Sequence, residues 1–580
     1  MTAQTGQSSS IGDPAGWLRQ LRRKVDLSPV FWIGFILVLL VLIGLPGFWL
    51  IYRSFTQVNT GVFTLSHYAE VFSNPRFRTA LMNSLILATG SGLLSVFVGV
   101  PLAWIITRTN MPLRGLMRAL LLVAFSIPTF LGGIAWILLA APNAGWLNRI
   151  YMGLTGAESG VLNIHSMLGA IFVVGLYSFQ YVFLMVSSAL EFISSELEDA
   201  AQVLGAGTFR TMFKITLPLV MPSIVSGFIL SFLEAIALFG SPTIILIPAR
   251  VSIVTTEIWQ QFQFPPNVEL ASAFALCLVV MTIALLWVQR QLLVRKGYTT
   301  LTGKAGRKRL VDLGPVWNGG FLVFCGAIAT LSLFLPVYVL GRTALSKSWG
   351  RPLDASNLTL QWFEDVLFKQ PFTTTAIKNT LIYAGVAATF AMAIGIVVAY
   401  LVNRKLVRFH QFLGFLPMIP LAIPGIVIAV AIFSAYSRPP LVLYGTALML
   451  IVAFTTRFLP IAFSNSGNIF KSINPELELA ARNLGATQIE TVQKVTVPLV
   501  KRGLISGWIL VFILSIRELS CAILLYTNRT QVISTALFQL VTEGSYERVA
   551  ALGIVMLGIV FVTIGVAYRL LGKDFMLEQG

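Results

Sequence analysis

The feature that most constrains this chain is a series of apolar stretches, each long enough to cross a bilayer. A membrane-spanning helix needs about 20 consecutive apolar residues. In lipid, only helices and closed barrels satisfy their own backbone. Twelve such stretches are read, at 30–50, 81–106, 116–139, 167–190, 224–246 and 270–289, then 316–340, 377–402, 412–433, 445–463, 504–525 and 549–570. The tenth holds Arg457, which is placed near a membrane interface. Only 11% of the 580 residues are charged, against about 25% in soluble proteins. A soluble enzyme is excluded, and the expected fold is an all-α polytopic membrane protein.

Orientation follows from lysine and arginine, which collect on the cytoplasmic side. With the N-terminus inside, the inner segments hold twice as many basic residues as the outer ones. They include Arg22, Arg23 and Lys24 near the start, the run from Arg290 to Arg309, and Arg569 and Lys573. Both termini are therefore expected in the cytoplasm. The net charge of +18 reads as topology and contact with anionic lipid rather than nucleic acid, since no platform of interleaved aromatic and basic residues accompanies it. The polar opening MTAQTGQSSS does not read as a signal peptide. Cys277, Cys325 and Cys521 fall singly in apolar stretches and offer no disulfide framework or metal spacing.

The chain repeats itself. ELEDAAQVLGAGTFRTMFKITLPLV (196–220) returns as ELELAARNLGATQIETVQKVTVPLV (476–500). PRFRTALMNSLILA (75–88) resembles PFTTTAIKNTLIYA (371–384), and FSIPTFLGGIAWI (125–137) resembles LAIPGIVIAVAIF (421–433), aligning Pro128 with Pro424. Each half carries six spans in the same order, so the copies are parallel. The expected organisation is a cytoplasmic tail (1–29), a first span and outer loop (30–78), a first module (79–290) and a basic cytoplasmic linker (291–315). A seventh span and outer loop (316–374), a second module (375–572) and a tail (573–580) follow.

The repeated polar passage lies between the fourth and fifth spans of each half, in the cytoplasm. It reads as two short helices joined by a turn. Ser194 or Ser195 caps the first copy; Asn474 and Pro475 start the second. Glu196 and Glu198, and Glu476 and Glu478, then face the positive helix end. Gly205 and Gly485 sit where a helix ends in a left-handed residue. Thr487 and Glu490 form a capping box. Phe209, Met212 and Ile215, like Ile489, Val492 and Val495, make an apolar stripe, and Pro218 and Pro498 are expected to stop the helix before the next span. Such a stripe packs on the chain's own helix ends or docks a partner. Its presence in both copies, at the same loop, suits a pair of identical cytoplasmic partners.

This passage resembles the EAA loop of bacterial binding-protein-dependent ABC importer permeases. The matching positions are Asp199, Ala200, Ala201, Gly205, Ile215, Leu217 and Pro218, then Leu479, Ala480, Ala481, Gly485, Val495, Val497 and Pro498. Leu479 departs from the acidic residue, with Glu478 beside it. The resemblance implies a type I importer permease fold, with coupling helices that dock on ATPase subunits. It implies coupling roles for Glu198, Asp199, Ala200, Ala201, Gly205, Lys214 and Pro218, and for Glu478, Ala480, Ala481, Gly485, Lys494 and Pro498. Two loops in one chain imply two copies of an ABC ATPase, which carry ATP and magnesium on a separate chain. A periplasmic or extracellular solute-binding protein would deliver substrate, and the chain would lie in the bacterial plasma (inner) membrane. The fused two-module form, together with 234–246 and 517–553, looks like the ferric iron permease family. Its relatives carry phosphonates, sugar phosphates, polyamines or thiamine.

Other motifs are weaker. GYTTLTGKAG (297–306) fails as a phosphate loop, because five residues separate its glycines and Ala305 replaces the Ser or Thr needed for magnesium. His67, His165 and His410 are isolated, so no metal site is expected; no nucleophile–base pair appears either, so no catalytic residue is expected. Glu234, Arg517 and Glu518 lie within spans, where ionisable residues are costly and face the interior. They either line a translocation path or pair structurally. Arg517 and Glu518, as sequence neighbours, are expected to point apart. A secondary transporter would fit twelve spans and a duplication, but it would not need the paired loops.

Overall fold

The computed structural model describes residues 28–57, 60–193, 196–295 and 310–571. Most of the two tails, most of the basic linker and the proposed Ser194/Ser195 cap lie outside the described residues. The described residues are helical apart from turns and loops, with three isolated β-bridges.

Ten helices are long and apolar enough to cross a membrane: Ile33–Ser54, Pro75–Arg108, Met167–Phe192, Thr208–Ala237, Val268–Gln289, Pro315–Ala344, Pro371–Asn403, Ala447–Ser472, Val492–Ile516 and Tyr546–Leu571. Two further expected spans are bent helix pairs, each counted here as one span: Arg114–Ala124 with Thr129–Ala140 at 97° and His410–Ala422 with Gly425–Tyr436 at 111°. We number the spans 1 to 12 in chain order. The third and ninth were expected as single helices. Each instead breaks before its aligned proline, Pro128 or Pro424, because proline cannot donate to the preceding turn and pushes the residue before it out of the helical region.

Within each module, span 2 packs on spans 4 and 5, and span 8 packs on spans 10 and 11. Span 1 lies against span 6 of its own module and the second half of span 9 in the other. Span 7 mirrors this, lying against span 12 and the second half of span 3. The modules thus exchange their first helices, and one buried apolar core runs through both.

Close helix contacts rest on glycine. A Cβ on Gly99 would stand 2.8 Å from the Val182 Cβ, and one on Gly227 would stand 2.7 Å from the Val182 Cα. The second module repeats this, with Gly395 against Ala462 at 2.9 Å and Gly507 against Asn465 at 2.5 Å. Small residues let backbones approach where lipid supplies no hydrophobic drive between helices.

Two further expectations are corrected. Spans 5 and 11 were read to 246 and 525; their helices end at Ala237 and Ile516, and short helices Gly240–Leu246 and Ala522–Leu525 follow. Pro218 and Pro498 do not stop the loop helix. It widens into a π turn, Met212–Thr216 or Val492–Thr496, and runs on through the proline into the span. The Leu217 N–H reaches back five residues to the Met212 carbonyl. This wider turn accommodates a ring that would clash with the carbonyl four residues back. The same device precedes Pro46 and Pro336, in Leu40–Gly44 and Thr330–Phe334.

Gly99→Val should overpack this contact, at a cost of about 1–3 kcal/mol. The temperature at which the detergent-solubilised protein loses its monodisperse elution peak should fall by several degrees. Gly34→Ala, where a Cβ meets nothing within 4 Å, should leave it unchanged.

Candidate coupling loops and central cavity

The first loop helix is Glu196–Val203 and the second is Glu476–Asn483. Asn474 accepts the Glu476 N–H at 3.0 Å, so the expected start holds. Both helices end in the same cap. Gly205 has φ +85° and Gly485 has φ +94°. The Ala206 and Ala486 N–H groups reach back to the Ala201 and Ala481 carbonyls, at 2.9 and 3.1 Å. Thr487 and Glu490 bond reciprocally, at 2.9 and 3.3 Å. The Thr487 backbone and hydroxyl bonds hold the Glu490 carboxyl below the usual carboxylate range. The capping box is therefore complete at neutral pH and is lost only as pH falls through that lowered value.

The structure separates inward residues from outward ones. Glu198 and Glu478 are buried. Glu478 accepts both Arg404 Nε, at 3.2 Å, and Arg404 Nη2, at 2.9 Å, together with the Thr496 hydroxyl at 3.1 Å. Glu198 accepts the Thr216 hydroxyl at 2.7 Å and lies 3.7 Å from Arg108 Nη1. The two anchors are equivalent across the repeat. Arg108 and Arg404 end span 2 and follow span 8, so each loop is tied to a long helix of its own module. Ala201 is buried, Asp199 and Ala481 are half-buried, and Ala200, Ala480, Gly205, Gly485, Lys214, Lys494, Pro218 and Pro498 are exposed. Lys494 pairs with Glu490 at 3.8 Å. At the tips, Val203, Leu204 and Leu484 are about nine-tenths exposed, at 87%, 87% and 90%.

Sequence reasoning missed Arg108, Arg404, Thr216 and Thr496. The signal was present, since each arginine stands at the end of an aligned span or just beyond it and both threonines stand in the repeated passage. The structure also accounts for Leu479 in place of Asp199, because the acid that anchors the loop is the preceding glutamate. The first loop has a further brace. Phe209 packs on Trp317 of span 7 at 4.9 Å between ring centroids. Val311 pairs with the chain beside Arg108, its N–H donating to the Arg108 carbonyl at 2.8 Å.

The predicted intramembrane residues converge. Glu234, Arg517 and Glu518 line one cavity of about 470 Å³ between the modules, joined by Arg457, Tyr181, Pro128 and Pro424. Arg457 is not near an interface. It lies mid-way along span 10 and donates to the Ile423 carbonyl at 2.8 Å. Arg517 crosses to the other module, donating to the Phe125 carbonyl at 2.7 Å with its guanidinium 5.2 Å from the Phe125 ring centre. Thr282 donates to the Ala422 carbonyl at 3.0 Å. The loose carbonyls at both span breaks are thus taken up by side chains from neighbouring spans. Glu518 accepts the Cys521 N–H of its own module at 3.0 Å, while Arg517 reaches to the other module. No group of three or more His, Cys, Asp or Glu suited to a metal exists among the described residues.

Two parallel six-span modules, each with a capped and anchored loop on one face and a shared cavity between them, define a membrane transport protein. The family described as binding-protein-dependent transport system inner membrane component matches residues 95–296 and 391–573. The chain belongs to that family, once per module. It is 24% identical to the ferric transport system permease protein FbpB of Actinobacillus pleuropneumoniae, over 83% of this chain and 70% of that protein. It is 23% identical to the Fe(3+)-transport system permease protein FbpB 2 of Haemophilus influenzae, over 89% of this chain and 94% of that protein. A putative 2-aminoethylphosphonate transport system permease protein of Salmonella choleraesuis is 27% identical over 42% of this chain and 93% of its own length.

Removing one partner of a buried ion pair costs about 3–5 kcal/mol. Glu478→Ala should therefore loosen the second loop, and in detergent solution trypsin should cut at the exposed Arg482 at least tenfold faster than in the unmodified protein. Glu476→Ala, at an exposed position, should change that rate less than twofold.

Proposed function

We propose that this chain is the membrane-spanning subunit of an ATP-driven importer for ferric iron. Two copies of an ABC ATPase dock on the two loops, one each. A solute-binding protein delivers cargo to the outer face, and both termini lie in the cytoplasm. The chain is not itself an enzyme; ATP and magnesium belong to the ATPase.

The observation that carries this reading is the continuity of spans 5 and 11 with the loops. The helix from Thr208 runs unbroken to Ala237 and carries Glu234 into the cavity. The helix Val492–Ile516 ends beside Arg517 and Glu518. A 30-residue helix is roughly 45 Å long at the usual rise per residue, enough to link the inner face to the middle of the bilayer as one lever. Glu198 and Glu478 fix the loop to that lever through Thr216 and Thr496, while the exposed Val203, Leu204 and Leu484 offer an apolar surface to a partner. Movement of the partner at the loop therefore becomes movement of charged groups at the cavity.

Ferric iron is favoured over other cargo because relatives named for it match across both modules. The phosphonate and sulfate permease relatives match little more than one module's length.

The test is uptake of radioactive ferric iron at limiting iron by cells with and without this chain. Loss of the gene should lower uptake at least tenfold, and the unmodified gene should restore it. A gene carrying Gly205→Val and Gly485→Val, which strains both left-handed caps, should not restore it although the protein reaches the membrane. Restoration by that variant would remove the coupling role of the loops. Unchanged uptake on deletion would remove iron.

A further inference from the structure

Glu234 is anomalous. It sits in a membrane-spanning helix, it lines the central cavity, and it makes no hydrogen bond among the described residues, although Arg457 and Arg517 stand near enough to act on its charge. An ionisable residue inside a bilayer protein is expensive, and such residues mark substrate or ion pathways. Arg457 and Arg517 line the same cavity. Each spends one N–H on a backbone carbonyl, of the five donors a guanidinium carries. None of their nitrogens is sealed away without a partner.

The cavity therefore presents two carboxyl groups and two guanidinium groups, so its acids do not outnumber its bases. A bare trivalent cation would enter this space uncompensated and face two fixed positive groups, where screening is weak and desolvation severe. A complex with a metal centre and an oxygen-rich anionic rim would find a partner for each pole. Planar guanidinium groups suit carboxylate and phosphate oxygens. A cavity of about 470 Å³ lies within the range of small-molecule sites.

We propose that this cavity is a transit site that receives ferric iron as an oxyanion complex, with Glu234 toward the metal centre and Arg457 and Arg517 on the anion. This rests on the iron reading above and adds the form in which the metal crosses.

The test uses the purified full-length chain in detergent. One arm offers ferric citrate labelled on iron and on citrate; a second offers ferric pyrophosphate labelled on iron and on phosphorus. The two arms distinguish a carboxylate from a phosphate companion. The expected result is retention of both labels in a fixed ratio, in at least one arm. Retention should fall at least tenfold in Glu234→Gln and in Arg457→Gln. Glu234 makes no hydrogen bond in the fold and glutamine keeps its size, so Glu234→Gln should elute as the unmodified protein does, which keeps the test decisive should Arg457→Gln fail to fold. Retention of iron without either anion label would overturn the proposal, as would retention indifferent to Glu234→Gln, or no retention of either label. The iron reading itself stands or falls separately, on uptake by cells.

Discussion

A backbone amide or carbonyl left without a partner in hydrocarbon costs several kcal/mol, and the rest of this structure depends on how the chain meets that demand at its prolines. Two solutions recur in both modules. At Pro46, Pro218, Pro336 and Pro498 the helix widens into a π turn and continues. At Pro128 and Pro424 it breaks, and side chains from other spans take up the loose carbonyls. The first solution makes long levers. The second makes the cavity, because a bent span leaves space between the modules and draws Arg457, Arg517 and Thr282 to its edge.

The two solutions meet at one place. Spans 5 and 11 begin in the repeated loops and end at the breaks of spans 3 and 9. A helix that is rigid at one end and charged at the other can transmit displacement without any extended chain of side-chain rearrangements. The exchange of spans 1 and 7 between modules has a related consequence. Each module's outer helix lies on the other's broken span, so the modules share one core across the cavity and cannot move as wholly separate bodies.

The loops show why a family pattern can tolerate a change at its most recognisable residue. Asp199 has become Leu479 in the second copy without loss of the fold. The inward carboxylate is supplied by Glu198 and Glu478, which bond to arginine and threonine of their own module. The two copies differ in what surrounds that anchor. The first leans on Trp317, with Val311 pairing beside its Arg108 anchor; the second holds its glutamate by a tighter, two-pronged contact with Arg404.

Much was legible in the sequence because it is local. Apolar length and basic flanks define spans; the repeat at 196–220 and 476–500 defines two modules; the capping of Asn474, Thr487, Gly205 and Gly485 needs only neighbouring residues. What proline does is not local. Pro128 breaks its helix and Pro218 does not, and the difference depends on which neighbours can accept or donate at that depth. The same holds for Arg457, which by sequence suits an interface and in the fold lies at the heart of the molecule. Apolar pattern and caps thus determined the elements, their order and the loops. Tertiary packing alone decided that Glu234, Arg457, Arg517 and Glu518, drawn from both modules, share one cavity, because only packing brings loose backbone groups and distant side chains within hydrogen-bond reach.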